Sequence, residues 1–295
     1  MTKIAFLFSG QGTQYVGMGL DNYKSSGLAQ MLFKQANDIL GFDLAEIMFN
    51  GPDEKLRQTE ITQVAIFLDS YCRYLLLNKK PDMTAGHSLG MYAALAAAEA
   101  FEFEEALRLV DARAKAMQYA GTVNQGTMAA ILGLTDSDVE RICREASGKA
   151  GYAQVANYNC PGQAVISGTV EAVAEAMKQA KREGAVKVIQ LKVSGAFHSL
   201  LMEPAYDKFA PILDQSLIHK CRFPVYSDLD GQMLNSADAI HKSLLQQLIM
   251  PVRWPQVIRQ MAADGAEEFI EVGPGEVLKG MIKRILSDRR KTNAV

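Results

Sequence analysis

The chain alternates short, wholly apolar runs with longer amphipathic stretches. Its first run, "KIAFLF" (3–8), is mostly apolar and stops at the polar, glycine-rich "SGQGTQ". So short and continuous a run predicts a parallel strand buried on both faces, and the glycines mark the loop that follows. Three helical patterns come next. "LAQMLFKQANDIL" (28–40) carries one apolar stripe, whereas "ITQVAIFLDSYCRYLLL" (61–77) is apolar on most faces and predicts a central helix covered by neighbours. "FEEALRLVDARAKAMQYA" (103–120) opens with acids, which favour a helix N-terminus, and its apolar spacing predicts one packed and one exposed face. Between the last two lies "DMTA", a short strand ending at Gly86.

Near Gly126 the rhythm changes to strand, helix, strand, strand, helix, strand: "TMAAILGL", "DSDVERICREA", "YAQVANYN", "QAVISG", "VEAVAEAMKQAKREG" and "VKVIQLKV". That order is the split β-α-β of a ferredoxin-like unit. Alternation then resumes through "FPVYSD" (223–228), "HKSLLQQLI" (241–249), "QVIRQMAADG" (256–265) and "EEFIEV" (267–272). Gly273-Pro274-Gly275 break the last strand before a final helix. The pattern predicts an α/β fold: a parallel-sheet unit (1–124 and 193–295) interrupted by a small α+β unit (125–192), with a cleft between them.

Composition narrows the function classes. At 295 residues, 48% apolar and 22% charged, the chain has ample length for a globular core. A formal charge of −2 lacks the basic excess of proteins that bind nucleic acid or anionic membranes. No apolar run approaches the roughly 20 residues that span a bilayer. Cys72, Cys143, Cys160 and Cys221 are scattered without C-x-x-C spacing, and no secretory leader precedes "MTKIAFLFSG". These features predict a cytoplasmic protein with neither a disulfide framework nor a metal site.

Candidate chemistry centres on "TAGHSLGMYAAL" (84–95), where Ser88 stands between two glycines as a strand turns into a helix. One hydroxyl serves two readings: serine is a good helix cap, and it is also the nucleophile of a strained G-x-S-x-G elbow. As a nucleophile it needs oxyanion donors. The N–H of Leu89 is one, and the backbone of Gln11, flanked by glycines in "GQGTQ", is another. That loop lacks the lysine and spacing of a phosphate-binding loop. Four histidines could supply the base. His87 adjoins Ser88 but neighbours on a tight turn project apart, and His219 and His241 suit surface or cap positions. His198, in "VSGAFHSLLMEPA", falls where the chain leaves the small unit at the cleft, which favours it as general base. No acid presents itself as its orienter, so a backbone carbonyl is the alternative. Arg113 falls on the exposed face of its helix, where an arginine is ordinarily solvated.

Together these segments closely resemble the malonyl-CoA:acyl-carrier-protein transacylase family, which includes acyltransferases of polyketide assembly lines. The resemblance runs along nearly the whole chain: "GQGTQ", "TEITQVA" with Val64 in place of a proline, "GHSLG", "LVDARAKAMQ", "NYNCPGQAVISG", "GAFHSLLM" and "EVGPGEVL" follow the family's motifs in order. It implies an α/β-hydrolase-like core with a ferredoxin-like insertion. It also implies a ping-pong reaction in which Ser88 takes malonyl from malonyl-CoA with His198 as base, then yields it to the phosphopantetheine thiol of acyl carrier protein. By the same resemblance the Gln247 carbonyl orients the histidine and Arg113 clamps the malonyl carboxylate. Gln63 and Asn157 line the pocket, and Phe197 excludes an α-methyl branch.

No cofactor is implied, and the carrier protein is the expected partner of a monomeric enzyme. Carrier proteins are acidic, so "KQAKREG" (178–184) and "KRILSDRRK" (283–291) are candidate docking segments. Met91 stands where relatives carry glutamate, while Ser9 and Met250 lean toward the polyketide branch. The same scaffold would also suit a thioester hydrolase that clears carrier proteins. Such an enzyme gains nothing from a carboxylate clamp on simple acyl chains, and a non-catalytic carrier-binding module has no use for a paired Ser88 and His198.

Overall fold

The computed structural model describes residues 2–292. Among them the strands are β1 (Lys3–Phe8), β2 (Met83–Gly86), β3 (Thr127–Leu132), β4 (Ala153–Cys160), β5 (Gln163–Gly168), β6 (Lys187–Gln190), β7 (Val225–Tyr226), β8 (Val252–Arg253) and β9 (Ala266–Val272). Four of these form a parallel sheet in the order β7-β2-β1-β9.

The apolar run that opens the chain is central in that sheet. Ala5, Phe6, Leu7 and Phe8 are all fully buried. Successive side chains of a strand point to opposite faces, so Phe6 and Phe8 enter the main core while Ala5 and Leu7 enter a second cluster with Trp254 and Ile258. The largely apolar segment forms the helix Thr59–Leu76, buried along most of its length. The helix Phe103–Val123 follows the elbow and differs from expectation at one position. Arg113, read as solvent-facing, is fully buried. It stands in line with Ala106, Val110, Met117 and Ala120, so the packing that buries the apolar stripe of its helix buries the guanidinium with it.

The second sheet has the order β6-β3-β5-β4-β8, and its first four strands are antiparallel in the ferredoxin-like arrangement. Helices Asp136–Ala150 and Val170–Arg182, each capped by a threonine side chain, pack on it through Val139, Ile142, Val173 and Ala176. Strand β8, from the returning segment, adds to this sheet by pairing parallel with β4, Asn157 opposite Val252 and Tyr158 opposite Arg253. We propose 125–192 as the extent of the small subdomain, with β8 as the strand that ties it to the large one.

No helix among the described residues is long and apolar enough to cross a membrane. Of the two basic segments, Lys178 pairs with Glu175 at 3.7 Å, and Arg284 donates to the Pro161 carbonyl at 2.7 Å. The side chains of Arg289, Arg290 and Lys291 lie outside the described residues.

Candidate active site

Strand β2 ends at Gly86, and the helix Gly90–Ala97 begins four residues later. The turn between them is possible only because both ends are glycine. A Cβ on Gly86 would come within 1.9 Å of the Gly90 carbonyl carbon, and one on Gly90 within 2.2 Å of the Phe8 carbonyl oxygen. Ser88, at the apex, has φ 53°, in the left-handed region that side chains other than glycine disfavour. Its hydroxyl caps nothing: Leu89 occupies the N-cap position, without a side-chain cap bond. The Ser88 Oγ instead meets His198 Nε2 at 2.8 Å and accepts from Arg113 Nη2 at 3.1 Å. The cap reading is thereby replaced by a hydroxyl held between an imidazole and a guanidinium.

His198 is 4% exposed, and its Nδ1 bonds to the Gln247 carbonyl at 2.7 Å. A carbonyl only accepts, so the proton sits on Nδ1 and Nε2 is left as an acceptor for the Ser88 hydroxyl. Burial, joined by the nearby Arg113 charge, pulls the imidazole pKa down to about 3. The resting ring is therefore neutral, as a base must be. Of the other histidines, His87 Nε2 pairs with Asn159 Oδ1 at 3.0 Å and stacks edge-on to Trp254. His241 pairs with Asp214 at 2.7 Å, and His219 is exposed.

Arg113 donates to Gln63 Oε1 at 2.5 Å and Gln247 Oε1 at 3.0 Å, and it lies over the Tyr92 ring. Its Nε is buried without a partner. Gln63 differs from the sequence expectation. It is fully buried behind the guanidinium and is not part of the cleft wall, so it reaches the pocket only through Arg113. Arg113, Asn157 and Phe197 do line the cleft, whose volume is about 300 Å³, together with Gln11, Ser88, Leu89 and His198. Neither the Gln11 nor the Leu89 N–H donates to any described residue, which leaves both donors available to a ligand. Met91 is fully buried in the main core, where its apolar side chain suits its surroundings.

Asp228 is the group that sequence reasoning missed. In "VYSDLDG" it reads as an ordinary turn residue, yet it is fully buried beneath the elbow. Its Oδ2 accepts from the Ser88 N–H and from Gln247 Nε2, both at 2.9 Å. Gln247 thus ties Asp228 to three other residues: its carbonyl holds His198, its Oε1 holds Arg113, and its Nε2 also donates to the Ser88 carbonyl at 3.0 Å. A serine with an adjacent base, free N–H donors and a buried cation is equipped to form an acyl-serine from an anionic acyl group.

The family model of the acyl transferase domain matches residues 5–294. The chain belongs to the acyl transferase family. It is 40% identical to the malonyl CoA-acyl carrier protein transacylase of Bacillus subtilis (strain 168) over 298 residues, covering 100% of this chain and 94% of that one. It is 41% identical to the Escherichia coli (strain K12) protein of the same name over 290 residues, covering 97% and 94%. Among solved structures, PlMCAT, a malonyl-transacylase in complex with the holo type II PKS acyl-carrier protein AntF, matches with a TM-score of 0.93. There the identity is 37%, over 97% of this chain and 94% of that one. Acyl transferases of this family therefore share with the chain both its sheet core and its inserted subdomain, the fold that the strand order predicts.

Proposed function

We propose that the protein transfers malonyl from malonyl-CoA to the phosphopantetheine thiol of an acyl carrier protein, supplying fatty-acid or polyketide synthesis. The observation that carries this reading is the position of one hydroxyl, the Ser88 Oγ, between His198 Nε2 and Arg113 Nη2. His198 takes the serine proton as Oγ attacks the thioester carbonyl. The oxyanion is received by the N–H groups of Gln11 and Leu89. As the carbonyl re-forms, the C–S bond breaks and coenzyme A leaves with the proton held by His198. The carrier thiol then gives its proton to His198 and attacks malonyl-Ser88, regenerating the serine.

Arg113 selects the substrate in this scheme. Its unpartnered Nε and its Nη2, which holds only neutral oxygens, can turn to the malonyl carboxylate as a two-pronged donor. Phe197, in the cleft wall, limits branching at the α carbon. Every group in the cycle comes from one chain, which supports action as a monomer, and Cys72, Cys143, Cys160 and Cys221, all free thiols, fit a reducing cytoplasm. The test is an intact-mass measurement after brief exposure to malonyl-CoA, followed by addition of holo carrier protein. A malonyl adduct on Ser88 that moves to the carrier supports the transferase. An adduct released only to water supports the hydrolase instead.

A further inference from the structure

Arg113 is a buried cation touched only by neutral groups. Its partners are Gln63, Gln247 and the Ser88 hydroxyl, and among the described residues no carboxylate lies within ion-pair distance of it. An unbalanced charge in such a place is strongly unfavourable. Asp228 lies one amide away. Gln247 turns its Nε2 to Asp228 Oδ2 and its Oε1 to Arg113 Nη2. The amide dipole is thereby aligned between an anion and a cation. The second carboxyl oxygen, Oδ1, is buried with no partner.

We propose that Asp228 is the internal counter-charge of Arg113 and so sets how strongly the site prefers acyl groups that end in a carboxylate. This rests on Arg113 clamping the malonyl carboxylate, as proposed above. With Asp228 ionised, an incoming carboxylate meets a cation already balanced and an anion nearby. With Asp228 neutral, the carboxylate meets the full guanidinium charge. An acetyl group, being uncharged, is little affected by either state.

The charge on Asp228 changes in the range where the enzyme would be assayed. Burial lifts its pKa to about 7, against Gln247, the Ser88 N–H and Arg113, which favour the ionised form. The other groups facing this cluster hold their charge state there. Arg113 stays protonated. The Tyr92 phenol is pushed above its ordinary value by burial and stays neutral, and His198 and His87 are held neutral by desolvation.

The test compares kcat/KM for malonyl-CoA and acetyl-CoA across about pH 6 to about pH 8 in the full chain and in Asp228→Asn. Asparagine retains an acceptor for Ser88 and Gln247 but carries no charge. In the unsubstituted protein the malonyl-to-acetyl ratio should fall as pH rises through about 7. In the variant it should be flat and, at the alkaline end, about threefold higher or more. A purely structural role would move both substrates together. A clear malonyl preference that ignores both pH and the substitution overturns the counter-charge role. Absence of any malonyl preference in the unsubstituted protein overturns the clamp itself. Should the variant not fold, the pH course of the unsubstituted protein decides alone.

Discussion

Ser88 and His198 meet at 2.8 Å from two backbones that are both in the left-handed region, φ 53° and φ 56°. For residues other than glycine that conformation costs on the order of 1 kcal/mol or more each, and it persists only where the surroundings impose it. At Ser88 the imposing contacts are backbone against backbone across Gly86 and Gly90. At His198 they are the Gln154 amide on its carbonyl at 2.6 Å and the Gln247 carbonyl on its ring. Strain at Ser88 and strain at His198 are thus maintained by separate parts of the fold and converge on one hydrogen bond.

The elbow's dependence on close packing is testable with a methyl group. Gly90→Ala places a Cβ 2.2 Å from the Phe8 carbonyl oxygen, in a central strand that cannot yield without disturbing its sheet. A loss of about 3 kcal/mol or more in unfolding free energy is expected. Gly27→Ala, whose Cβ meets nothing within 4 Å, is the matched control and should unfold at or above the temperature of the unsubstituted protein. Equal thermal midpoints for the two variants would remove the packing argument.

How much of this was legible beforehand varies with the kind of signal. The chain order of strands and helices and the inserted subdomain were legible because most elements carried their own period, and β1 is buried from Ala5 to Phe8 as its apolar run implied. Ser88 and His198 were legible from local context: a glycine-flanked turn and a position at the cleft. The burial of Arg113 was carried by its spacing, in line with Ala106, Val110, Met117 and Ala120, but an arginine is ordinarily exposed and its charge outweighed its position in the reading. Asp228 was hidden for a related reason. An aspartate after a short strand is common in turns, and only the path of the chain brings it under Ser88. Strand β8 is two residues long, too short for any periodicity.

Arg113→Ala should reduce malonyl transfer about 10- to 100-fold more than acetyl transfer, the range expected for a lost charge-assisted pair. Arg113→Lys should recover little, because a lysine cannot hold Gln63, Gln247 and a substrate carboxylate in one plane. Kinetics with both thioesters check this. Equal losses on the two substrates would remove the clamp.

Phe197→Ser tests the pocket wall. Phe197 is 5% exposed and lines the cleft near Ser88. Replacing it with serine should raise methylmalonyl-CoA use relative to malonyl-CoA by roughly 10-fold, within the 1–3 kcal/mol that one methyl group supplies. Competition between the two thioesters gives the ratio directly, and an unchanged ratio would assign branching selectivity to another residue.

The two buried titratable groups make opposite demands on folding as pH changes. His198 falls from an ordinary pKa of 6.5 to about 3 on folding, so its unfolded form binds more protons between those values and stability drops as pH falls through that window. Asp228 rises from 3.8 to about 7, so its folded form binds more protons there and stability drops as pH rises through it. Between about pH 4 and about pH 6.5 each contributes a slope of up to about 1.4 kcal/mol per pH unit, with opposite signs. The unsubstituted protein should therefore show a shallow dependence across this range. Asp228→Asn removes one opposing slope and leaves the other. Its stability should climb more steeply with pH, while His198→Ala should show the reverse tilt. Denaturant unfolding at several pH values checks both, and parallel curves for all three proteins would mean that neither group changes its protonation on folding.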